Sequence, residues 1–215
     1  MSQVSHAYWG RSTYDRGVAS VPRQQHTGPP PWSPSPTMDP MPLLPHDLYA
    51  TIDASVPIVC ADFVPVRRDA AGTLTHLGLI RRSSPFGEVW CHLGGRVWRG
   101  ETLAQAIERH LADSLTGLTL GLAPDPQPDY VYQWFPDDVA PRAATGAGTT
   151  ALSYGRDPRK HAIGLTFVLD AAGEAAVRPG GEALDFAFHP IDSLPNPLWP
   201  GCDQLFDKLI TAPRQ

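Results

Sequence analysis

The chain contains one segment in which apolar residues return at helical spacing. Leucine or isoleucine stands at every fourth position from residue 103 to residue 115. This spacing lays an apolar stripe along one face and predicts an amphipathic helix over residues 103–115. Because glycine is a frequent residue just beyond the end of a helix, we expect this helix to end near Gly117.

Other apolar residues form short runs of the kind that predict strands. The runs at residues 56–68 and 69–82 are joined by a turn, which predicts a β-hairpin. The remaining predicted elements are strands at residues 129–135, 161–170 and 183–190, and short helices at residues 46–55 and 201–210. Mixed strands with few helices indicate a domain of the α/β (α+β) class.

Two segments lack such patterns. Residues 1–45 are rich in proline, glycine, serine and glutamine, and this composition predicts an extended or disordered N-terminal tail. The alternative is that the large apolar side chains of this tail dock on the domain or on a partner subunit. Residues 136–160 are glycine-rich and predict a long loop. The folded domain is therefore expected over residues 46–213.

Composition narrows the class of protein. The chain has 215 residues, of which 42% are hydrophobic, so one well-buried core is expected. A formal charge of −5 disfavours nucleic acid as a partner, because surfaces that bind nucleic acid are basic. The three cysteines lack CxxC spacing, which favours a reducing cytoplasm over a disulfide framework or a structural zinc site. No apolar stretch approaches the roughly 20 residues of a membrane span, so no membrane association is expected.

A glycine pair precedes the predicted amphipathic helix. Gly94 and Gly95 let the backbone turn sharply and approach a ligand closely. Glu101 follows Gly95 by six positions, and Arg109 follows Glu101 by eight. Over "GGRVWRGETLAQAIER" the sequence resembles the first two-thirds of the Nudix signature. The resemblance implies a loop–helix–loop motif in a Nudix-like α/β/α sandwich with a mixed sheet, in which Glu101 and Arg109 brace the loop against the helix.

The last third of that signature is only partly present. In the family it supplies glutamates that hold magnesium beside the diphosphate of the substrate. The corresponding positions here are His110, Asp113 and Ser114. At 100° per residue these three side chains share one side of the helix, so the face is retained with a lower negative charge.

Further segments resemble one branch of the family, the GDP-mannose mannosyl hydrolases. The similarity covers about residues 56–192 and includes "PIVCADFV", "IRRSSPFGEVW", "VYQWFPDD" and "HAIGLTFVL". That branch also has a degenerate signature, works with fewer metal ligands, and displaces the nucleoside diphosphate at the sugar carbon. A weakened signature is therefore compatible with catalysis.

This resemblance implies roles for individual residues. Arg81 and Arg96 match arginines that contact the diphosphate, and guanidinium groups suit phosphate oxygens. The Gly95 carbonyl and Glu182 match metal ligands. Asp62 matches an acidic residue near the nucleotide or the sugar.

The resemblance leaves the general base open. The catalytic histidine of the branch aligns with Ala183 in this chain. A base must then come from elsewhere, and His161, His110 and Glu182 are the candidates. Asp113 is the remaining predicted site residue and is expected to bind the metal.

The leading hypothesis is a Mg²⁺-dependent hydrolase of a nucleoside diphosphate linked to another moiety, most naturally a sugar, with Mn²⁺ as the alternative ion. One alternative is a Nudix fold that has lost catalysis and binds a nucleotide or a partner protein. Another is a hydrolase of a non-nucleotide diphosphate, such as a prenyl diphosphate. Because many Nudix proteins pair, the resemblance leaves a homodimer open.

Overall fold

A computed structural model describes residues 45–139 and 154–211. The predicted tail, apart from Pro45, and the middle of the predicted loop at 136–160 lie outside the described residues. Three helices and nine strands form in the described part of the chain. In chain order they are α1 (His46–Ser55), β1 (Ile58–Arg68), β2 (Leu74–Ser84), β3 (Gly87–Cys91), β4 (Leu93–Arg96), α2 (Leu103–Ser114), β5 (Leu115–Leu120), β6 (Tyr130–Phe135), β7 (Gly155–Arg156), β8 (Ala162–Val177), β9 (Ala183–Pro190) and α3 (Cys202–Thr211).

The central strand is β1, a mainly apolar segment that contains Asp62 and is buried over most of its length. It pairs in parallel with the first part of β8, where Ile58 lies opposite Ala162 and Val66 lies opposite Asp170. It also pairs antiparallel with β2, as the predicted hairpin requires. Strands buried on both faces read as unbroken hydrophobic runs, which explains why β1 lacks alternation.

The other strands extend this pairing into a mixed sheet. Strands are ordered β3-β2-β1-β8-β6-β7, with β4 paired to β1, β9 to β2 and β5 to the far part of β8. The core between the sheet and the helices is formed mainly by β1, β2, α2 and α3. Phe63, Leu79, Ile107 and Phe206 are all fully buried in it.

Helix α2 starts with a reciprocal cap. The Gln105 backbone N–H donates to the Thr102 hydroxyl over 3.2 Å, and the Thr102 backbone N–H donates to the Gln105 side chain over 2.8 Å. This capping box satisfies two N–H groups that a helix start leaves unpaired. The helix buries Ile107 of the predicted stripe, so the predicted amphipathic helix is confirmed.

The predicted end of this helix near Gly117 is wrong. Helix α2 ends at Ser114, and β5 begins at the next residue. Leu115 and Thr116 are already in extended pairing with β8, and Gly117 occupies a bulge with φ of +79°. An added Cβ at Gly117 would collide with the Glu174 carbonyl oxygen, so the glycine serves the close pairing of two strands.

The other predicted elements are found, most with small shifts of their ends, but the strand predicted at residues 161–170 continues to Val177 as β8. The glycine pair differs, because Gly94 and Gly95 lie in the short strand β4 rather than in a loop. In the described residues no helix is both long and apolar enough to cross a membrane.

Candidate functional site

The start of α2 is fixed to β4 by an ion pair between Glu101 and Arg109. The Arg109 Nε and Nη2 atoms donate to the two Glu101 carboxylate oxygens over 2.6 and 2.9 Å, and the backbone N–H of Trp98 also donates to this carboxylate. A further Arg109 N–H donates to the Arg96 carbonyl over 2.9 Å. Burial alone would raise the pKa of Glu101, but hydrogen bonds from Arg109 and Trp98 and the Arg109 charge lower it. These contacts hold the loop against the helix.

Strand β4 also touches α2 through a glycine and a histidine. A Cβ on Gly95, whose φ is +155°, would lie 2.9 Å from the His110 Cε1 atom. The His110 Nε2 atom lies 3.2 Å from the Arg96 carbonyl oxygen. Burial, followed by the nearby Arg109 charge, lowers the pKa of His110. The imidazole therefore favours its neutral form in this position.

An open groove runs along the end of α2. It has a volume of about 400 Å³ and is lined by His110, Asp113, Ser114 and residues 178–182. We call it the outer groove. The Asp113 carboxylate is 66% exposed and lies 3.9 Å from an Arg109 nitrogen, whereas Ser114 is buried. The structure thus brings predicted site residues His110, Asp113 and Glu182 into one groove.

The donor set of the groove suits a hard divalent cation. Asp113 and Glu182 offer carboxylate oxygens, and Mg²⁺ is commonly held by one or two carboxylates together with waters and substrate phosphates. In the part of the chain that the structure describes, no three histidine, cysteine, aspartate or glutamate side chains converge on one point. A metal here would depend on substrate oxygens for much of its coordination. Gly95 lines the neighbouring cavity instead of this groove.

The neighbouring cavity lies beneath β3 and β4 and has a volume of about 80 Å³. We call it the inner cavity. Its lining combines charged, aromatic and small residues: Cys60, Asp62, Arg82, Cys91, His92, Gly94, Gly95, Trp134, Asp157, Arg159, Lys160, Ala162 and Trp199. Charged groups facing a semi-enclosed space are candidates for ligand contact because their desolvation needs a partner.

Asp62 and His92 form a buried pair in this cavity. The Asp62 Oδ2 atom lies 3.5 Å from the His92 Nε2 atom, and the two side chains are 6% and 14% exposed. The other ring nitrogen of His92 lies 3.7 Å from the Cys202 sulfur. Burial raises the pKa of the Cys202 thiol well above its ordinary value, so this neighbour stays uncharged. The imidazole is held between a carboxylate and a thiol.

Two glycines create the space for Asp62. A Cβ on Gly164 would collide with the Asp62 carboxylate. A Cβ on Gly94, which lies opposite Asp62 in the β1–β4 pairing, would lie 2.6 Å from the Asp62 Cα atom. Only residues without a side chain allow the two strands that flank β1 to approach so closely.

Two arginines reach the cavity from different directions. Arg82 on β2 pairs with Glu182 over 2.8 Å, and Glu182 also lines the outer groove. Arg159 is held by Asp157 through two hydrogen bonds of 2.8 Å. The ring of Trp199 lies 5.9 Å from the Arg82 guanidinium carbon and 5.1 Å from that of Arg159.

The arginines predicted to bind the diphosphate lie elsewhere. Arg81 points away from Arg82, as adjacent residues of a strand do, and lies near Glu88 at 3.4 Å and Asp185 at 3.9 Å. The Arg96 guanidinium lies over the ring of Tyr49 at 4.5 Å. The inner cavity is lined by neither of them and contains Arg82 instead.

His161, a predicted general base, lies outside both the groove and the cavity. Its ring stacks on Phe135, with centroids 4.3 Å apart and an angle of 23° between the planes. Burial lowers the pKa of His161. The stacked neutral ring is suited to packing.

The cavity residues without an assignment from the sequence pattern include Arg82, His92, Arg159 and Lys160. Arg82 follows the predicted residue Arg81. Because side chains alternate between the two faces of a strand, only Arg82 faces the cavity. His92 stands next to the glycine pair in a short apolar run, where a lone polar residue is a weak signal. Arg159 and Lys160 form a basic pair just before a predicted strand, and only the parallel β1–β8 pairing brings them near Asp62.

Two solved structures share this fold. A possible asymmetric diadenosine tetraphosphate (Ap4A) hydrolase from Jonesia denitrificans DSM 20603 is 24% identical, with a TM-score of 0.58 over 73% of this chain and 94% of that chain. A MutT Nudix hydrolase from Burkholderia pseudomallei is 20% identical, with a TM-score of 0.50 over 72% of this chain and 98% of that chain. The protein thus has the fold of the Nudix hydrolases, and the predicted fold class is confirmed.

Within that fold the chain belongs to the family described as "Domain of unknown function (DUF4916)", whose sequence profile matches residues 39–198. A comparison with curated proteins found no match.

Proposed function

We propose that this chain hydrolyses a small-molecule diphosphate in a reaction that uses a divalent metal ion. The observation that carries the proposal is the position of Glu182, which lines the outer groove and pairs with Arg82 of the inner cavity over 2.8 Å. Carboxylates suited to a metal and cations suited to phosphate oxygens therefore adjoin each other. A diphosphate at this junction would meet both.

Different residues of the chain would bind the metal ion and the phosphate oxygens. Asp113 and Glu182 would hold Mg²⁺ or Mn²⁺, and the metal when bound supplies charge neutralisation for the phosphate oxygens. Arg82 binds a diphosphate oxygen through its guanidinium N–H groups. The Glu101–Arg109 brace keeps β4 and α2 at a fixed separation, so that the groove and the cavity stay aligned.

Asp62 is the group that we propose as proton acceptor from the attacking water, with His92 as its positioning residue. Both line the inner cavity, whereas His161 is stacked on Phe135 and His110 faces a backbone carbonyl. The His92 Nε2 atom lies 3.5 Å from the Asp62 Oδ2 atom, so the imidazole holds the carboxylate in place while the carboxylate takes the proton. The reaction needs this step whether water attacks phosphorus or the sugar carbon.

The leading substrate class is a nucleoside diphosphate linked to a sugar. Its support is the similarity of residues 56–192 to the GDP-mannose mannosyl hydrolase branch, in which Asp62 corresponds to a residue near the nucleotide or sugar. The solved hydrolase from Jonesia denitrificans is described as acting on a dinucleoside polyphosphate, which supports the wider class of nucleoside diphosphate derivatives. The cytoplasm is the proposed compartment, since all three cysteines are free.

The direct test is a substrate panel with Mg²⁺ or Mn²⁺. Nucleotide sugars, dinucleotides and nucleoside triphosphates are incubated with the full-length chain, and products are separated chromatographically. Asp113→Asn and Glu182→Gln should abolish most turnover, while Asp125→Asn, an exposed carboxylate outside both sites, should retain it. The proposal fails if no substrate is cleaved, or if all three variants behave like the parent.

A second candidate function is nucleotide binding without catalysis. The observation that favours it is that each carboxylate of the outer groove lies near an arginine. Asp113 lies 3.9 Å from Arg109, and Glu182 lies 2.8 Å from Arg82. These pairs reduce the negative charge available to a metal. A non-catalytic binder should be stabilised against heat by nucleotides without divalent ions and should release them unchanged.

A further inference from the structure

We propose that the Arg159–Lys160 side of the inner cavity is a subsite for a phosphoryl group separate from the diphosphate at Arg82. The substrate class would then be a diphosphate that carries a further phosphate at its other end. The proposed substrate class rests on the proposed function, whereas the binding of phosphate by Arg159 and Lys160 does not.

Arg159 presents a fixed guanidinium group. Asp157 accepts hydrogen bonds from Nε and Nη2, each of 2.8 Å, and its Oδ1 atom also accepts the Arg159 backbone N–H over 3.1 Å. The turn is closed by the Lys160 N–H, which donates to the Asp157 carbonyl over 3.3 Å. A guanidinium has five N–H donors, so Asp157 leaves about three of them for a ligand. A group held in this way loses little entropy when an anion binds.

Lys160 adds a second positive charge, which forms no ion pair among residues 45–139 and 154–211 and whose field acts on the Asp53 carboxylate. Its residue is half-buried and follows Arg159 directly in the chain. Two like charges at one side of a cavity repel each other, and an anion between them removes this repulsion. The compact ammonium and the planar guanidinium are both common phosphate-binding groups.

Trp199 lies close to both arginines of the inner cavity. Its indole N–H donates to the Arg156 carbonyl over 2.6 Å, and its side chain is buried, so the ring cannot turn. The ring lies within 5.1 Å of the Arg159 guanidinium carbon and 5.9 Å of that of Arg82. Contact with the ring face favours the positions of both cations. Both guanidinium groups therefore lie close to the same ring.

The charges of the cavity leave room for an anion. Three cationic side chains and two carboxylates line it. Asp157 pairs with Arg159 and Glu182 pairs with Arg82, so Lys160 is the lining cation that no ion pair of the described residues neutralises. The volume of about 80 Å³ exceeds the roughly 10–15 Å³ that one water needs, so a group of several atoms can enter.

Arg156 is an arginine of the same segment whose exposure and pairing are similar to those of Arg159. The two side chains are 52% and 45% exposed, and each donates two hydrogen bonds to an aspartate. The partner of Arg156, Asp137, is exposed, and Arg156 lies outside the lining of the inner cavity. Arg156 is therefore the matched control for Arg159.

The test measures binding of inorganic phosphate to the full-length chain in EDTA, with sodium chloride at equal ionic strength as reference. At a phosphate concentration roughly five times Kd, the midpoint of thermal unfolding should rise by about 2–4 °C in the parent and in Arg156→Gln. Arg159→Gln and Lys160→Gln should bind about 10-fold more weakly or worse, and Lys160→Arg should recover binding. Circular dichroism checks that each variant is folded.

The inference is overturned if phosphate stabilises the parent no more than chloride does, or if Lys160→Gln retains full binding. Lys160→Gln breaks no ion pair of the described residues. The test therefore remains decisive even if Arg159→Gln does not fold. Phosphate binding in EDTA without turnover of any diphosphate would count against the proposed hydrolysis only. Turnover without such binding would count against the subsite only.

Discussion

The Glu182 carboxylate and the Arg82 guanidinium form an ion pair of 2.8 Å at the point where the outer groove meets the inner cavity. Glu182 comes from the connection between β8 and β9, and Arg82 from β2. Their side chains are 34% and 20% exposed, so the pair is accessible to a ligand at its edge. An incoming diphosphate would compete with Glu182 for Arg82 and so free the carboxylate.

Replacing Arg82 should be more damaging than replacing its neighbour. Arg82→Gln removes a cation that lines the cavity, and kcat/KM for a cleaved diphosphate should fall about 10- to 100-fold, as expected for a lost charged hydrogen bond. Arg81→Gln changes a residue that faces Glu88 and Asp185 and should have a much smaller effect. Steady-state kinetics of both variants decide the matter. The opposite ranking would restore Arg81 as the diphosphate ligand.

The Glu101–Arg109 pair should matter for stability at neutral pH. Breaking a buried ion pair lowers the free energy of unfolding by about 3 kcal/mol or more. We expect this loss for Glu101→Gln because the Glu101 side chain is only 6% exposed. Asp137→Asn breaks an arginine pair of the same two-bond geometry that is exposed, so it should change stability little. Urea denaturation gives both values, and equal losses would contradict the bracing role.

The same pair predicts a pH dependence. The pKa of Glu101 is lower in the folded than in the unfolded chain, so the unfolded chain binds more protons in acid. The stabilisation is complete above the ordinary value of 4.5 and is lost as the pH falls below it through the folded-state value. The stability gap between the parent and Glu101→Gln should therefore shrink in acid. A gap that stays constant down to acid unfolding would argue that another group is responsible.

Removal of the Asp62 carboxylate should slow the chemical step. If Asp62 takes the proton of the attacking water, Asp62→Asn should lower kcat by about 100-fold or more and change KM little. Asp125→Asn is the matched control, since Asp125 is exposed and lies outside the groove and the cavity. An Asp62→Asn enzyme with normal kcat and raised KM would instead make Asp62 a binding residue.

A methyl group at Gly95 should separate β4 from α2. The added Cβ of Gly95→Ala would lie 2.9 Å from His110, and its φ of +155° is unfavourable for alanine, so we expect a loss of about 1–3 kcal/mol. Gly72→Ala also has positive φ but meets no atom within 4 Å, so it measures the backbone cost alone. Combining Gly95→Ala with His110→Ala should recover part of the difference. No recovery in this double-mutant cycle would show that the steric contact is unimportant.

The sequence was sufficient where the signal is local. The four-residue repeat predicted α2, and the resemblance carried by the spacing of Gly95, Glu101 and Arg109 implied a loop braced against the helix. The end of α2 was missed because Gly117 was taken as a helix terminator, whereas pairing with β8 draws Leu115 into a strand. The preference of glycine for helix ends was outweighed by pairing with a strand that is distant in the sequence.

The inner cavity could not be predicted in this way. Asp62, His92 and Arg159 belong to segments that meet only through the pairing of β1 with β4 and β8. Which of Arg81 and Arg82 faces inward depends on the register of β2, and a shift of one residue would exchange them. The resemblance to a family indicated Arg81 and Arg96, neither of which lines the inner cavity, and it gave no role to Arg82 or Arg159, which do.

The parallel pairing of β1 with β8 also has a consequence for the order of folding. It joins Asp62 and Thr166, which are roughly a hundred residues apart, so a large loop must close before these strands meet. Helix α2 and its junction with β5 depend on contacts much nearer in the chain. A ligand of the inner cavity would therefore recognise only chains in which this long-range pairing is complete, and its binding would distinguish them from chains that have formed local structure alone.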